Sequence, residues 1–350
     1  MTTPYASEAF LHQLLGKALA ANASDIHLKC GQPPGARVRG DMVYFRVDKI
    51  RPEDTEAVAR LLLANRQPPP DIARLFEFDT SYEVPGVGRF RVNIYRQRGS
   101  LAVVMRSIPL EIPTFEELGV PVAATTMAEN DRGLVLVVGA AGNGKSSTLA
   151  AMVGHINSNF PKHVVTIEDP IEFLHRDDRA SVSQREVGLD TASFNEGLRA
   201  ALRQDPDVIL VGEIRDSDTM EIALQAAETG HLVFSTLHTP DVGRTIHRLL
   251  ALAKNPADVR ERFAEVLQGI VAQRLLPRKD DAGRVLAAEV LVATGTVRES
   301  LKRPETNPPL KELMEKGVTP YGMQTFEMHL RQLVAQGLVT KDVARAAATF

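Results

Sequence analysis

The chain has 350 residues and a formal net charge of -3, with 41 lysines and arginines against 44 aspartates and glutamates. This length is enough for two domains, and the near-neutral charge gives no global reason to expect nucleic-acid binding. A single cysteine, Cys30, excludes an intramolecular disulfide and a four-cysteine zinc site. The sequence shows neither a signal peptide nor a run of about 18 apolar residues, so we expect a cytoplasmic protein without a membrane span.

The first hundred residues predict a small mixed domain. Apolar residues at helical spacing over 8–21 indicate an amphipathic helix, and the short strands GARVRG and DMVYFRV precede a second helix near 53–65. Residues 80–108 are rich in β-branched and aromatic side chains with Pro-Gly and Arg-Gly-Ser between them, which predicts antiparallel hairpins. The stretch 109–131 contains three prolines, so we place the domain junction there.

From residue 132 onward, apolar strands alternate with longer helical stretches. The buried-strand candidates are GLVLVVG, HVVTIED, DVILVGE, HLVFSTLH and LAAEVLV. The long connections between them favour a parallel, helix-covered sheet. In the tail the pattern predicts two helices, over 256–276 and roughly over 323–348, with a break at 303–309.

A phosphate-binding loop follows the first of these strands. Residues 139–146 match the pattern G-x-x-x-x-G-K-[ST] between a predicted strand and a predicted helix. Glycines let backbone N–H groups surround an anion, Lys145 can reach the terminal phosphates, and Ser146 can ligate Mg²⁺. The residues predicted to bind a nucleoside triphosphate are Gly139, Ala140, Ala141, Gly142, Asn143, Gly144, Lys145, Ser146 and Ser147.

An acidic residue ends the strand DVILVGE, as it does in many ATPases. Gly212 occupies the position where such enzymes often carry a magnesium-binding aspartate, and Asp207 lies too far back in the strand to replace it. Glu213 could hold Mg²⁺ through water or polarise the attacking water. It could equally be a carboxylate at the surface where a strand ends.

A second acidic group, Glu168, Asp169 and Glu172, follows the strand HVVTIED. Ligands of parallel sheets bind at the carboxyl ends of the strands, so both acidic groups are expected at the edge that carries the phosphate loop. A base that activates water needs this placement. The alternative is an acidic cap on a strand end.

Two histidines, His231 and His238, flank the strand LVFSTL. A metal pair is not expected, because no further histidine or cysteine lies at ligand spacing. They could sense the γ-phosphate, contact a neighbouring subunit, or be hydrogen-bonded core residues.

Several arginines cluster on the predicted hairpins. Arg89 and Arg91 share one strand face, Arg98 lies at a turn close to Arg96, and Arg106 lies on the next strand. They could form a solvated basic face, or act as arginine fingers on the nucleotide of a neighbouring subunit. Nucleic acid is disfavoured by the modest charge and the lack of interleaved aromatic residues.

These motifs together resemble the secretion ATPase superfamily, and within it the type IV pilus retraction ATPases of the PilT and PilU group. In chain order the motifs are ASDIHL, RFRVN, GAAGNGKSS, TIEDPIEF, LVGEIRD and AAETGHLVFSTLHT. The resemblance implies a PAS-like α+β domain over 1–110, a linker over 111–131, and a RecA-like P-loop ATPase domain over 132–350 with a helical C-terminal part.

The resemblance also implies a homohexamer that binds ATP and Mg²⁺ between the two domains. Glu172 would be the catalytic base, and Glu213 would be the Walker B carboxylate that supports Mg²⁺ together with Ser146. The other implied site residues are Arg91, Arg98, Arg106, His231 and His238.

The implied function is ATP hydrolysis that powers pilus retraction and twitching motility at the cytoplasmic face of the inner membrane. The implied partners are the inner-membrane platform protein and other pilus ATPases, without nucleic acid. Three alternatives stay open: another motor of the superfamily (accessory, pilus extension, or type II or IV secretion), a nucleic-acid translocase, and an inactive nucleotide-binding protein.

Two segments depart from the family pattern. The phosphate loop reads Ala-Ala-Gly-Asn where the family usually has Pro-Thr-Gly-Ser, which leaves the backbone requirement intact. The retraction signature AIRNLIRE aligns with TVRESLKR at 296–303, which keeps the character of only Val297, Arg298 and Leu301.

Overall fold

The computed structural model describes residues 3–66, 68–109 and 111–348, which form two compact units. The first unit comprises Met1–Glu111 and Pro170–Leu174, and the second comprises Ile112–Asp169 and His175–Phe350. The predicted domain ends at residues 1, 110 and 350 lie outside the described residues. No helix within the described ranges is long and apolar enough to cross a membrane.

The first unit contains a six-stranded antiparallel sheet. Its helices and strands are α1 (Glu8–Ala20), β1 (Ala23–Lys29), β2 (Gly35–Val38), β3 (Asp41–Tyr44), α2 (Pro52–Leu62), β4 (Glu77–Val84), β5 (Gly88–Gln97) and β6 (Ser100–Ser107). The strands pair in the order β3-β2-β1-β6-β5-β4. The helices and hairpins predicted for this region are confirmed.

One face of this sheet packs against α1 and α2. Phe90, Val92 and Ile94 of β5 are buried in the same cluster as Leu15 of α1 and Val58 of α2. Because side chains alternate along a strand, the residues between them point away from this core. The alternation therefore leaves Arg91 and its neighbours on the opposite face of the sheet.

The second unit contains a seven-stranded, largely parallel sheet, and the predicted α/β fold class is confirmed. Its elements are α3 (Phe115–Leu118), α4 (Ala123–Ala128), β7 (Gly133–Val138), α5 (Lys145–Asn159), β8 (His163–Glu168), β9 (Ser181–Glu186), α6 (Phe194–Ala201), β10 (Val208–Val211), α7 (Ser217–Glu228), β11 (Leu232–Leu237), α8 (Val242–Leu252), α9 (Pro256–Val266), β12 (Leu267–Pro277), β13 (Arg284–Val292), α10 (Gly295–Lys302), α11 (Leu310–Lys316), α12 (Phe326–Ala335) and α13 (Lys341–Ala348). The strand order is β13-β12-β7-β11-β10-β8-β9, in which β13 alone runs antiparallel to its neighbour.

Apolar cores lie on both faces of this sheet. Leu134 and Leu136 of β7 join the core that contains α7 and α9, whereas Val135 and Val137 join the core that contains α5. A strand buried on both faces carries a continuous apolar run. This explains why the five strand candidates could be recognised from composition.

The predicted helix over 256–276 is wrong beyond Val266, where α9 ends and β12 begins. Strand β12 lies between β7 and β13 and is buried on both faces, so its apolar residues also fit a helical period. Gly269 lies in this strand at a point of close packing. A Cβ there would lie 2.2 Å from Met127 Cε and 2.8 Å from Leu291 O.

Two further elements differ from the prediction. Strand β9 was not predicted, because it lies at the sheet edge and its residues SVSQRE are mostly polar. The tail helix predicted over 323–348 is two helices, α12 and α13, and Gly337 between them has a φ of +73° that favours glycine.

Candidate active site

The phosphate loop connects β7 to α5. Gly139, Gly142 and Gly144 have φ angles of +151°, +78° and +80°, in the region that favours glycine. A Cβ at Gly139 would lie 2.6 Å from the backbone oxygen of Gln273, so no larger residue fits there without displacing β12. The loop thus has the backbone that an anion cradle requires.

Lys145 is buried at the first position of α5, and its Nζ donates hydrogen bonds to the carbonyl oxygens of Gly139 and Ala140 at 2.9 and 3.1 Å. These bonds hold the ammonium group over the loop. Ser146 and Ser147 follow in the first helical turn, which contains no acidic residue. The N–H groups and dipole of this helix end therefore add positive potential for a phosphate group.

The carboxyl ends of β7, β8, β10 and β11 lie at one edge of the sheet because these strands are parallel. This edge carries the phosphate loop after β7, Glu168 and Asp169 at the end of β8, Glu213 after β10 and His238 after β11. The predicted placement of Glu168, Asp169 and Glu213 at the edge that carries the phosphate loop thus agrees with the topology, whereas Glu172 belongs to the first unit.

Glu213 pairs with two basic side chains at this edge. One carboxylate oxygen lies 2.5 Å from Nη2 of Arg215, and the other lies 3.4 Å from Nε2 of His238. The hydrogen bond with Glu213 raises the pKa of Arg215. Only 14% of the Glu213 side chain is exposed, against 64% for Arg215 and 55% for His238, so a largely buried carboxylate is held by two solvent-exposed partners.

Gly212 is closely packed at the position where other ATPases carry an aspartate, so a side chain there would require its neighbours to shift. Its N–H donates to Ile167 O at 2.8 Å, and a Cβ would lie 3.1 Å from the Phe194 ring and 3.2 Å from that same oxygen. Asp207 lies at the opposite end of β10, where Oδ2 accepts the His163 N–H at 2.8 Å. The carboxylate of this strand end is therefore Glu213.

Glu172 belongs to the segment that packs with the first unit. Its carboxylate lies 3.9 Å from Nη1 of Arg91, and both side chains are about half exposed. Glu168 differs, because it accepts hydrogen bonds from Thr166 at 2.7 Å and from Gln184 at 3.1 Å.

The hairpin arginines occupy different environments. Arg91 and Arg106 are paired across β5 and β6, and Arg98 is exposed at the turn between these strands with a φ of +49°. Arg106 Nε lies 2.9 Å from Asp25. Burial alone would raise the pKa of Asp25, but hydrogen bonds from Ser24 and Arg106 lower it.

Arg89 and Arg96 serve the first unit itself. Arg89 is buried and donates to Ser81 at 2.9 Å and to Glu83 at 3.0 Å. Arg96 donates to backbone carbonyls, among them Leu75 O at 3.1 Å. The predicted basic face therefore consists of Arg91, Arg98 and Arg106 without these two residues.

The two histidines lie at opposite ends of β11. His231 precedes the strand, and its Nδ1 donates to Ala226 O at 2.9 Å. His238 follows the strand and faces Glu213. The structure thus brings only His238 to the edge of the phosphate loop.

Sequence reasoning missed three residues of this edge: Arg215, Gln273 and Arg284. Arg215 stands in the motif LVGEIRD, two residues after Glu213, and this spacing could have indicated it. Gln273 lies on β12, where a helix was predicted, and Arg284 begins β13 and contacts Gly142 across 142 positions of sequence.

The side-chain oxygens at this edge suit Mg²⁺ bound together with a nucleotide better than a metal ion held by protein ligands alone. Within the described ranges, no group of three or more His, Cys, Asp or Glu residues could hold a metal ion. Mg²⁺ in nucleotide sites takes most of its oxygens from phosphates and water, with one or two from the protein. The Ser146 hydroxyl and the Glu213 carboxylate fit this requirement.

Comparisons with known proteins agree with this site. The family model of the type II/IV secretion system protein matches residues 5–347. The chain is 42% identical over 335 residues to "Type IV pilus retractation ATPase PilT" of Pseudomonas aeruginosa, covering 95% of this chain and 96% of that protein. It is 40% identical to "Type IV pilus ATPase PilU" of the same organism, covering 95% of this chain and 87% of that protein.

A solved structure of the pilus retraction motor PilT with bound ADP is similar to the chain with a TM-score of 0.86 at 41% identity, covering 97% of both chains. The ATPase DotB of Legionella pneumophila is similar with a TM-score of 0.82 at 28% identity, covering 97% of this chain and 95% of that one. These matches confirm the resemblance to the secretion ATPases that the motifs indicated.

Proposed function

The chain belongs to the type II/IV secretion system protein family, and we propose that this ATPase powers the disassembly of type IV pili. The names of the PilT relatives and the conjunction of the phosphate loop with Glu213 and His238 at one sheet edge support this proposal. Disassembly of the pilus would cause pilus retraction and twitching motility.

Residues Gly139 to Ser147 bind the phosphates of ATP in this proposal. Backbone N–H groups of the loop and of the start of α5 surround the β- and γ-phosphates, and Lys145 exchanges its carbonyl partners for phosphate oxygens. Ser146 and Glu213 would hold a magnesium ion, which would neutralise charge on the phosphates when bound.

Glu172 acts as the base of the hydrolysis step. It accepts a proton from the attacking water while the water oxygen bonds to the γ-phosphorus. The bond from that phosphorus to the bridging oxygen breaks, which leaves ADP and inorganic phosphate. Glu213, held by Arg215 and His238, orients the attacking water.

The arginines and His231 act at contacts between subunits of a homohexamer. Arg98 is exposed at the tip of a hairpin, and Arg91 carries a half-exposed guanidinium, so either can reach a phosphate of a neighbouring subunit. Arg106 completes this basic group, and His231 lies too far along β11 to reach the phosphate loop of its own subunit.

The domain assignment is part of this proposal. A PAS-like domain over 1–110 carries these arginines, and a RecA-like domain over 132–350 carries the phosphate loop. The hexamer would work at the cytoplasmic face of the inner membrane, with the pilus platform protein as its partner and other pilus ATPases beside it.

A variant series tests the enzymatic part of the proposal. Lys145→Ala should abolish ADP binding, whereas Glu172→Ala should bind ADP like the wild type and lose turnover. Glu305→Ala, which changes an exposed glutamate, is the matched control and should behave like the wild type. Undiminished hydrolysis by Glu172→Ala would remove that residue from the mechanism.

An accessory motor of the same machinery is the second candidate. The identity to PilU is close to that to PilT, and the segment 296–303 departs from the retraction signature. Deleting the gene and recording single pili separates the two functions. If the protein is the principal motor, pili of the deletion strain should extend but not retract. If it is an accessory motor, retraction should persist with reduced force.

A further inference from the structure

Strand β12 forms the floor of the phosphate loop. The backbone oxygen of Gln273 occupies the space where a Cβ of Gly139 would lie, and the Leu275 side chain lies beside Gly144. From the adjoining β13, Arg284 Nη1 donates to Gly142 O at 3.3 Å. The geometry of the loop is therefore set by this hairpin as well as by β7 and α5.

Asn143 binds the loop to this strand directly. Its Oδ1 accepts the N–H of Leu275 at 3.0 Å across 132 positions of sequence. The amide side chain of Asn143 thus supplies an acceptor that reaches the backbone of β12.

Gln273 supplies a second link, to the helix that follows the loop. Its side chain is fully buried, and Nε2 donates to Thr148 Oγ1 at 2.7 Å. Within the described residues, Gln273 Oε1 has no hydrogen-bond partner. The amide nitrogen of Gln273 thus links β12 to α5.

Arg274 lies between Gln273 and Leu275 in β12, and its side chain points to the other face of the sheet. Its guanidinium stacks on the Phe326 ring of α12 with the carbon 4.0 Å from the ring centroid. It also donates to Ala347 O in α13 and to Pro240 O at 3.4 Å. Three consecutive residues thus connect the phosphate loop on one face to the C-terminal helices on the other.

We propose that β12 couples the position of α12 and α13 to the affinity of the phosphate loop for nucleotide. Asn143 is the positioning residue on the loop side, and Arg274 is the positioning residue on the helix side. A movement of the helices that pulls on Arg274 also acts on Gln273 and Leu275, because the three residues are consecutive in one extended backbone. This inference rests on the proposed function, since it concerns the same nucleotide site.

The direction of the effect follows from the contacts. Backbone N–H groups bind phosphate only where the loop places them correctly, so weakening either end of the link lowers nucleotide affinity. Coupling also requires the two ends to depend on each other. Once Asn143 no longer holds Leu275, a change at Arg274 has no route to the loop.

A double-mutant cycle tests this dependence in the full-length protein. Asn143→Ala removes the loop contact, and Arg274→Met removes the guanidinium while keeping an apolar side chain on Phe326. Each single variant should raise the Kd for ADP, measured by titration calorimetry, by about tenfold. The double variant should bind ADP no more weakly than the weaker single variant, and kcat should change less than KM in all three.

Arg278→Met is the matched control. Arg278 lies in the same hairpin and pairs with Asp280 at 2.6 Å, so its loss should leave the Kd unchanged. Effects of Asn143→Ala and Arg274→Met that multiply in the double variant would overturn the coupling. So would an unchanged Kd in either single variant.

Folding is checked by thermal unfolding of each variant. If Arg274→Met does not fold, Phe326→Leu removes the ring beneath the guanidinium and enters the same cycle in its place. Failure of the coupling can be distinguished from failure of the proposed function. A wild type that does not bind ADP, or a Lys145→Ala variant that binds it equally well, contradicts the function, whereas an additive cycle in an active enzyme contradicts only the coupling.

Discussion

Glu213 and His238 lie at the carboxyl edge of the seven-stranded sheet, and Asp207 and His231 lie at its amino edge. Each edge thus carries one carboxylate and one histidine, but the hydrogen-bond partners of these side chains differ. At the amino edge, Asp207 accepts a backbone N–H and His231 donates to a backbone carbonyl. At the carboxyl edge, Glu213 pairs with side chains, those of Arg215 and His238.

For the two carboxylates, Asp207 and Glu213, the difference separates a structural group from a functional one. A side chain bonded to the backbone stabilises one conformation of the sheet end. A carboxylate whose cationic partners are half exposed or more can exchange them for a ligand at small cost, because exposed ion pairs contribute little to stability. Variants at the two edges should therefore affect different measurements.

The largest expected effect is on turnover at the carboxyl edge. Glu213→Gln keeps the size of the side chain and removes its charge, so it should lower kcat by about 1000-fold with ADP affinity nearly unchanged. Single-turnover hydrolysis and calorimetric ADP binding measure the two quantities. A kcat within threefold of the wild type would place Glu213 with the structural carboxylates.

A third carboxylate, Glu289, extends the comparison of the two edges, because burial controls its pKa. Glu289 of β13 is paired with Ala272, and burial is the main cause that raises its pKa to about 7, with the nearby Asp241 acting in the same direction. The Val242 N–H, Arg274 and Lys311 oppose this rise. Glu289 is thus a carboxyl group whose environment favours the protonated form.

The folded state therefore binds this proton more tightly than the unfolded state, in which the pKa is near 4.5. The stabilisation is complete below pH 4.5 and is lost as the pH rises to about 7, with a total of about 3 kcal/mol. Glu289→Gln should abolish this part of the pH dependence of unfolding in urea. Glu305→Gln should retain it, and an identical pH profile for both variants would contradict the assignment.

The two histidines give a smaller effect. His238→Ala removes a partner of Glu213 and should lower kcat about tenfold at any protein concentration. His231→Ala should lower activity only in dilute protein, because an inter-subunit contact can be restored by mass action. Activity measured against protein concentration distinguishes them, and a concentration-independent loss in His231→Ala would contradict its assignment to subunit contacts.

The fold was predictable where burial leaves a simple pattern. Strands β7, β8, β10 and β11 are apolar runs between loops, and their composition indicates strands buried on both faces. The same property misled the prediction at β12, whose residues Ile270 and Val271 also fit a helical face. Edge strand β9 has no apolar run to recognise, since it pairs only with β8 and is partly exposed.

The site was predictable where its residues are contiguous. The phosphate loop is a single segment, and Glu213 follows its strand directly. The contact of Asn143 with Leu275 could not be predicted, because it joins residues 132 positions apart. The backbone bond of His231 also depends on tertiary structure, so composition alone could not separate it from His238.

The smallest expected effect is on stability at the amino edge. Asp207→Ala removes the acceptor of the His163 N–H and should lower the free energy of unfolding by about 1 kcal/mol. Its backbone bonds to His163 and Leu232 remain, so the sheet should keep its pairing and kcat should stay at the wild-type value. Asp207→Asn keeps an oxygen acceptor and should recover most of the lost stability. A fall in kcat without a fall in stability would place Asp207 with Glu213, and the two edges would then no longer differ in kind.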